Sequence, residues 1–317
     1  MRNAKRLSLL LCLAALVLAA QETRLAGPVS GVLFDPQARA LRPMVGVPGA
    51  SYLGDALVAN LDFASVSPNG KFAIAVGQDG VLLLRGLDEG RLDSAGLAAA
   101  AGVTRAAWSA DSTAVALWGE AGHVEVWSDL AASAKLAFAA DLEKIAAVVV
   151  ASQGRNLVAA SESGAIFVVT AGAAVRRILE LEQPAALALA GDKLYVADAA
   201  RNQILALGNY TEAADAQLFA NAARGVDDPA ALAVSPDQRT LLVASRGARS
   251  LTAFDLATSE ISGVAALDFE PTRLERFSAS LFALTNGGDA GPLQILDSAR
   301  SLAVYFVPAE PASVMED

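Results

Sequence analysis

One pattern constrains this chain more than any other: a short apolar run, a turn, two further apolar runs and a connector, present six times. The copy at 230–255 reads "AALAVSPDQRTLLVASRGARSLTAFD". Its first apolar run ends at Val234, and Ser235-Pro236-Asp237-Gln238 follows as a turn. Proline suits the second turn position, while serine and aspartate bond local backbone. Two more apolar runs, 240–244 and 251–254, flank a polar loop that contains Gly247. Runs this short, broken this often, form strands rather than helices.

The same order recurs at 64–86, 106–129, 146–170, 185–209 and 273–297. The first-turn positions are Ser67, Ser109, Ser152, Ala190, Ser235 and Ser278, spaced by 42, 43, 38, 45 and 43 residues. A fourth apolar run completes the copies, as in "KLAFAA" from Lys135, "AVRRILEL" from Ala174 and "AQLFANAA" from Ala216. Four short strands per period of this size make one propeller blade. The fold expected is therefore all-β, a β-propeller of four-stranded antiparallel blades. In "KFAIAV", Phe72, Ile74 and Val76 share one face while Ala73 and Ala75 share the other, so both faces are apolar, as in a blade sandwiched between two others. The first run of each copy is rich in Ala and Val, as strands crowding a central channel require. The alanine-rich "AGLAAAAGV" (95–103) could make a short helix, but the register places a fourth strand and a connector there.

"AVSPDQRTLLVAS" with "SLTAFD", and "KLYVAD" at 193–198, resemble the YVTN-type repeat, in which "VSPDG" precedes "LYVAN" and then a run ending in Asp. The copy at Trp108, with its "WSD", loosely resembles a tryptophan–aspartate repeat. The resemblance spans residues 63–309. It implies a propeller and leaves function open, because this superfamily includes surface proteins, lactonases and assembly scaffolds.

Six copies are complete. The segment 21–62 adds two strands, at 31–34 and 40–45, with Asp35-Pro36 between them. These either start a seventh, partial blade or complete a six-blade ring by pairing with the C-terminal run "SLAVYFVPA". Seven is the favoured count and six the alternative. Residues 310–317 read as a frayed tail.

The first 20 residues read as a secretory signal peptide: basic Arg2, Lys5 and Arg6, then an apolar run of Leu7 to Ala20. The run is short for a bilayer span. Cleavage is expected after Ala19 or Ala20, with an uncleaved anchor as the alternative. Cys12, the only cysteine, lies in this run and follows Leu11, which is too large for a lipidation site. The mature domain then has no disulfide, thiol chemistry or Cys-zinc site. An extracytoplasmic location, periplasmic or secreted, follows, with no membrane insertion after signal removal.

The formal charge of -10, without a Lys/Arg cluster, argues against nucleic acid as a partner. The loops between second and third strands collect on one face and carry Asp79, Glu120, Glu162, Asp198, Arg201, Asn202, Arg246, Arg249, Asn286 and Asp289. They are either solvated loop tips or a contact surface with an acidic and an arginine-bearing arc. His123 is the only histidine, so a Ser-His-acid triad would need it, and no serine sits in a GxSxG context. It is expected to be structural. Trp108, Trp118 and Trp127 fall in one blade and are expected to pack between blades. "NYT" at Asn209 matches a glycosylation acceptor.

No catalytic, cofactor-binding or metal-ligating residue is assigned, and no cofactor is expected. The function expected is a non-enzymatic binding or scaffold module for a protein partner, itself a monomer. The alternative is a sugar-lactone hydrolase-like propeller enzyme, which needs carboxylate and amide side chains converging at a channel mouth. "DAARNQ" (198–203) and "NGGDAG" (286–291) are its best sources.

Overall fold

The computed structural model describes residues 27–172, 174–212, 215–286, 293–300 and 302–308. The signal-like segment 1–20 and the tail 310–317 lie outside the described residues. The chain forms seven antiparallel sheets, each built from consecutive strands in sequence order. They form an all-β, seven-bladed propeller. Blades 2 to 7 span 61–97, 105–141, 145–180, 184–221, 229–266 and 271–307 and have four strands each. Blade 1 has three: Val29–Asp35, Ala40–Val47 and Ala50–Leu53. Helix among the described residues is limited to two single 3-10 turns, Ser152–Gly154 and Ala222–Arg224. No helix among them is long and apolar enough to cross a membrane.

The apolar cores lie between neighbouring blades. Ile74, Val81 and Leu83 of blade 2 pack with Val115, Leu117 and Trp127 of blade 3. Trp118, on the opposite sheet face, joins Leu157 and Val169 of blade 4. The aromatic residues of blade 3 are thus blade-to-blade packing, as their clustering suggested. The alanine-rich stretch at 95–103 enters the fourth strand, Asp93–Leu97, and then a connector.

Serine chemistry shapes the first turn. The Ser67 hydroxyl meets Asn69 Oδ1 at 2.8 Å, Ser109 meets Asp111 at 2.6 Å and Ser235 meets Asp237 at 2.5 Å. Each hydroxyl also accepts a backbone N–H from the second strand, at Phe72, Ala114 and Thr240. The carboxyls of Asp237 and Asp111 are held below the usual carboxylate range. Ser235 is the largest cause at Asp237; at Asp111 the Ser109 and Thr113 bonds outweigh the opposing burial. Two turn positions differ from the sequence reading by one residue. Ala151, not Ser152, donates its N–H back to the second strand, at Asn156, and Phe277, not Ser278, does so at Leu281.

A second repeated feature is invisible in composition. The pairing of first and second strands shifts at the same point in six blades: between Val29 and Gly31, Leu61 and Phe63, Ile145 and Ala147, Pro184 and Ala186, Pro229 and Ala231, and Pro271 and Arg273. One extra residue there is a bulge that bends the innermost strand.

The ring closes without strand exchange. The C-terminal strand Ala303–Val307 pairs with Leu293–Asp297 inside blade 7, and the N-terminal segment forms its own sheet. That settles the two closures in favour of seven blades. Blades 7 and 1 meet by packing. Gly31 lies so close to the Phe277 ring that a Cβ would come within 2.7 Å of it. Phe277, Leu281, Ile295 and Val307 share a core with Val32, Leu41 and Met44 of blade 1. Arg42 fastens blade 1 internally. It pairs with Asp35 at 3.1 Å and donates to the carbonyls of Leu53 and Gly54, with both charged residues 8% exposed.

Candidate functional site

The loops between second and third strands do gather on one face with the connectors between blades. Most of their charged residues are already engaged there. Glu162 pairs with Lys144 at 3.0 Å, Arg201 with Glu182 at 3.4 Å, and Arg249 with Glu270 at 2.9 Å. Arg246 makes two parallel 2.9 Å bonds to Asp228, which raise its pKa, and the backbone N–H of Asp228 donates to Asn202 at 2.7 Å. Each pair ties a loop to a connector at the start of a blade. Gly247 is pressed against Asp227, where a Cβ would lie 2.5 Å from its carboxylate.

Asp198 is not a surface residue: it is fully buried and accepts from Gln183 N and Gln203 Nε2. Asp79 and Glu120 are exposed. Asn286 ends the strand Leu281–Asn286, and Asp289 lies outside the described residues. The acidic and basic arcs are therefore largely neutralised from within.

His123 is held on both sides. Its Nδ1 lies 2.6 Å from Asp141 Oδ1 and its Nε2 lies 3.5 Å from Glu125. Glu125 is buried, accepting from Ala100 N and Trp127 Nε1. The hydrogen bond to Asp141 is the largest cause raising the His123 pKa. This arrangement orients an imidazole between two carboxylates and offers it no nucleophile. Asn209 sits exposed in a turn with φ of 48°.

The central channel is a cavity of about 730 Å³. Along the first strands of blades 4 to 6 its wall is apolar, from Ala146–Val150, Ala185–Leu189 and Ala230–Val234, while Glu162, Gln183, Gln238 and Arg246 line it from loops and turns. The first strand of blade 7, Pro271–Arg276, breaks that pattern with Thr272, Arg273, Glu275 and Arg276, and Arg105 of blade 3 also lines the channel. Blade 1 contributes no residue to the lining. Leu274 faces blade 6, in a core with Ala231 and Leu242. Phe277 faces blade 1, and strand alternation puts Arg273 and Glu275 on its side. They therefore occupy the sector that faces blade 1, which brings no residue to the channel wall.

Desolvation by the surrounding ring pushes the Glu275 carboxyl up, although the side chain is open to the channel, opposed first by Arg273 and then by Arg105. Arg276 reaches across the channel, donating to the carbonyl of Ala110 in blade 3 at 2.8 Å, while its Nε is buried without a partner. This charged sector was missed in the sequence. The signal was present in "PTRLERF", where other copies read "PAALAVS" and "PAALALA".

A lactonase-type centre would need at least three converging carboxylates or amides. The channel lining carries two carboxylates, Glu162, engaged by Lys144, and Glu275, and two amides, Gln183 and Gln238, the latter accepting from Gly191 N. No group of three His, Cys, Asp or Glu suited to hold a metal occurs among the described residues.

No known protein family matches the chain, and no curated protein does. A chain from the crystal structure of a nidogen/laminin complex is similar, with a TM-score of 0.50 and 14% identity, covering 74% of this chain and 92% of that one. At that identity the likeness shows the propeller fold alone.

Proposed function

We propose that this chain is an exported, non-enzymatic propeller of the YVTN or tryptophan–aspartate type that docks a protein partner on its loop-and-connector face. The observation that carries the reading is the set of cross-loop ion pairs, Lys144–Glu162, Glu182–Arg201, Asp228–Arg246 and Glu270–Arg249. Exposed pairs of this kind add little stability. They do hold polar loops in one geometry, and a pre-organised face loses less entropy on docking. Asp79 and Glu120 stand exposed at one side of this face, so the surface that meets them is basic. The similar chain mentioned above comes from a complex of two proteins, which is consistent with docking as a use of the fold. The export half of the reading rests on residues 1–20, and N-terminal sequencing of the exported chain should begin at Ala20 or Gln21.

The docking test uses the full mature chain as bait on envelope extract and culture fluid. A partner identified by mass spectrometry should be retained by the wild type and lost with Asp79→Lys/Glu120→Lys. It should persist with Glu212→Lys, which lies in a turn of the opposite face. Capture indifferent to the double reversal, or hydrolysis of sugar lactones by the purified protein, would overturn the reading.

A further inference from the structure

The channel poses a charge problem that the docking face does not. Arg105 and Arg273 occupy equivalent positions in blades 3 and 7, each three residues before the end of its strand, at Trp108 and Arg276. They therefore stand at the same level of the axis. Neither they nor Glu275 makes a direct hydrogen bond or ion pair among the described residues, although they lie close enough to bias the titration of Glu275. Arg276 has no acidic partner and spends one nitrogen on a carbonyl. Three guanidinium groups thus share a narrow channel with one unengaged carboxylate, inside a protein whose formal charge is -10. Like charges that converge on one cleft without counter-ions raise a positive potential there even where, as at Arg105 and Arg273, the side chains stay open to solvent, so such a sector favours an anion. Guanidinium forks match carboxylates in two-pronged geometry. The facing wall of Ala, Val and Leu from blades 4 to 6 accepts an apolar body and supplies few hydroxyls for a sugar. The channel volume of about 730 Å³ is that of a small-molecule site.

We infer that the sector formed by Arg105, Arg273 and Arg276 binds the carboxylate of a small organic acid, whose apolar body lies along the Ala/Val/Leu wall. Glu275 competes with that carboxylate for the same arginines and so sets the affinity. The inference is independent of the docking face and stands or falls separately from it.

Trp108 and Trp118 line the channel and report on its contents. Titration of the folded full chain with octanoate, followed by tryptophan fluorescence and calorimetry, should show saturable binding. Octanol, the neutral analogue, should bind at least tenfold more weakly, a comparison that needs no variant. Arg273→Gln and Arg105→Gln should each weaken octanoate at least tenfold while leaving octanol unchanged. Glu275→Gln should tighten octanoate several-fold, which arginines that merely filled space would not produce. Equal binding of octanoate and octanol, absence of saturable octanoate binding, or unaltered affinity in Glu275→Gln would overturn the inference. So would octyl phosphate binding tenfold more tightly than octanoate.

Discussion

Blades 6 and 7 begin with strands that are alike in frame and opposite in chemistry. Pro229–Val234 and Pro271–Arg276 both start with a buried proline, shift register at the next residue and bury a leucine at the fourth position, Leu232 and Leu274. At the third and fifth positions blade 6 has Ala231 and Ala233, and blade 7 has Arg273 and Glu275. Blade 6 meets a complete blade at those positions. Blade 7 meets blade 1, which brings no side chain to the channel. The buried leucine and the bulge specify the sheet. What the third and fifth positions carry is decided by the neighbour across the gap.

The contrast can be broken at its polar end first. Arg42→Ala removes the buried fork that fastens blade 1 internally, leaving Asp35 without its counter-charge, held by the backbone N–H groups of Gln37 and Ala38, and the carbonyls of Leu53 and Gly54 without this donor. Truncating one partner of a buried ion pair costs about 3–5 kcal/mol. The urea midpoint should fall accordingly. At the apolar end, Leu242→Ala opens a cavity between blades 6 and 7 at a side chain only 1% exposed. The expected loss is about 2–4 kcal/mol.

A sharper test makes blade 7 copy blade 6. The double variant Arg273→Ala/Glu275→Ala should shift stability by less than about 1 kcal/mol, because neither side chain is in the buried core. It should weaken octanoate binding all the same, by less than Arg273→Gln alone, because the competing Glu275 is lost with the arginine. A large destabilisation would mean that these charges hold the ring closed.

The smallest effect belongs to His123. Its folded pKa is raised, first by the Asp141 hydrogen bond, so the stability it contributes is fully present below the unfolded pKa. It is lost as pH rises through the folded value. The ring is partly exposed, and a few tenths of a kcal/mol is the expected scale. The difference in melting temperature between wild type and His123→Gln, measured from mildly acidic to mildly basic pH, should shrink across that window.

Much of this frame is written locally and so was legible in the sequence. The Ser235-Pro236-Asp237 turn announces itself because its bonds lie within five residues, Ser235 Oγ accepting from Thr240 N. The same locality explains the one-residue errors at Ser152 and Ser278. A backbone turn closes there without a serine, through Ala151 and Phe277, and the nearby hydroxyl misleads. Arg42 could not be read at all, since its partners lie 7 to 12 residues away and two of them are carbonyls. Loop polarity suggested an open charged face, whereas Arg246 and Arg201 are satisfied by Asp228 and Glu182 on connectors that only folding brings near. The charged strand of blade 7 was readable as a departure from the repeat. Its meaning was not, because it depends on blade 1 bringing no residue to the channel wall.

The absence of a shared strand between the first and last sheets has a mechanical consequence. Hydrogen bonds along a strand loaded lengthwise resist as a group, while a packed apolar seam parts piece by piece. Tension applied between the two chain ends would find the 7/1 seam as the weak point, with Gly31 and Phe277 sliding apart before any sheet is torn. The ring would open into an arc whose individual blades still hold their strands.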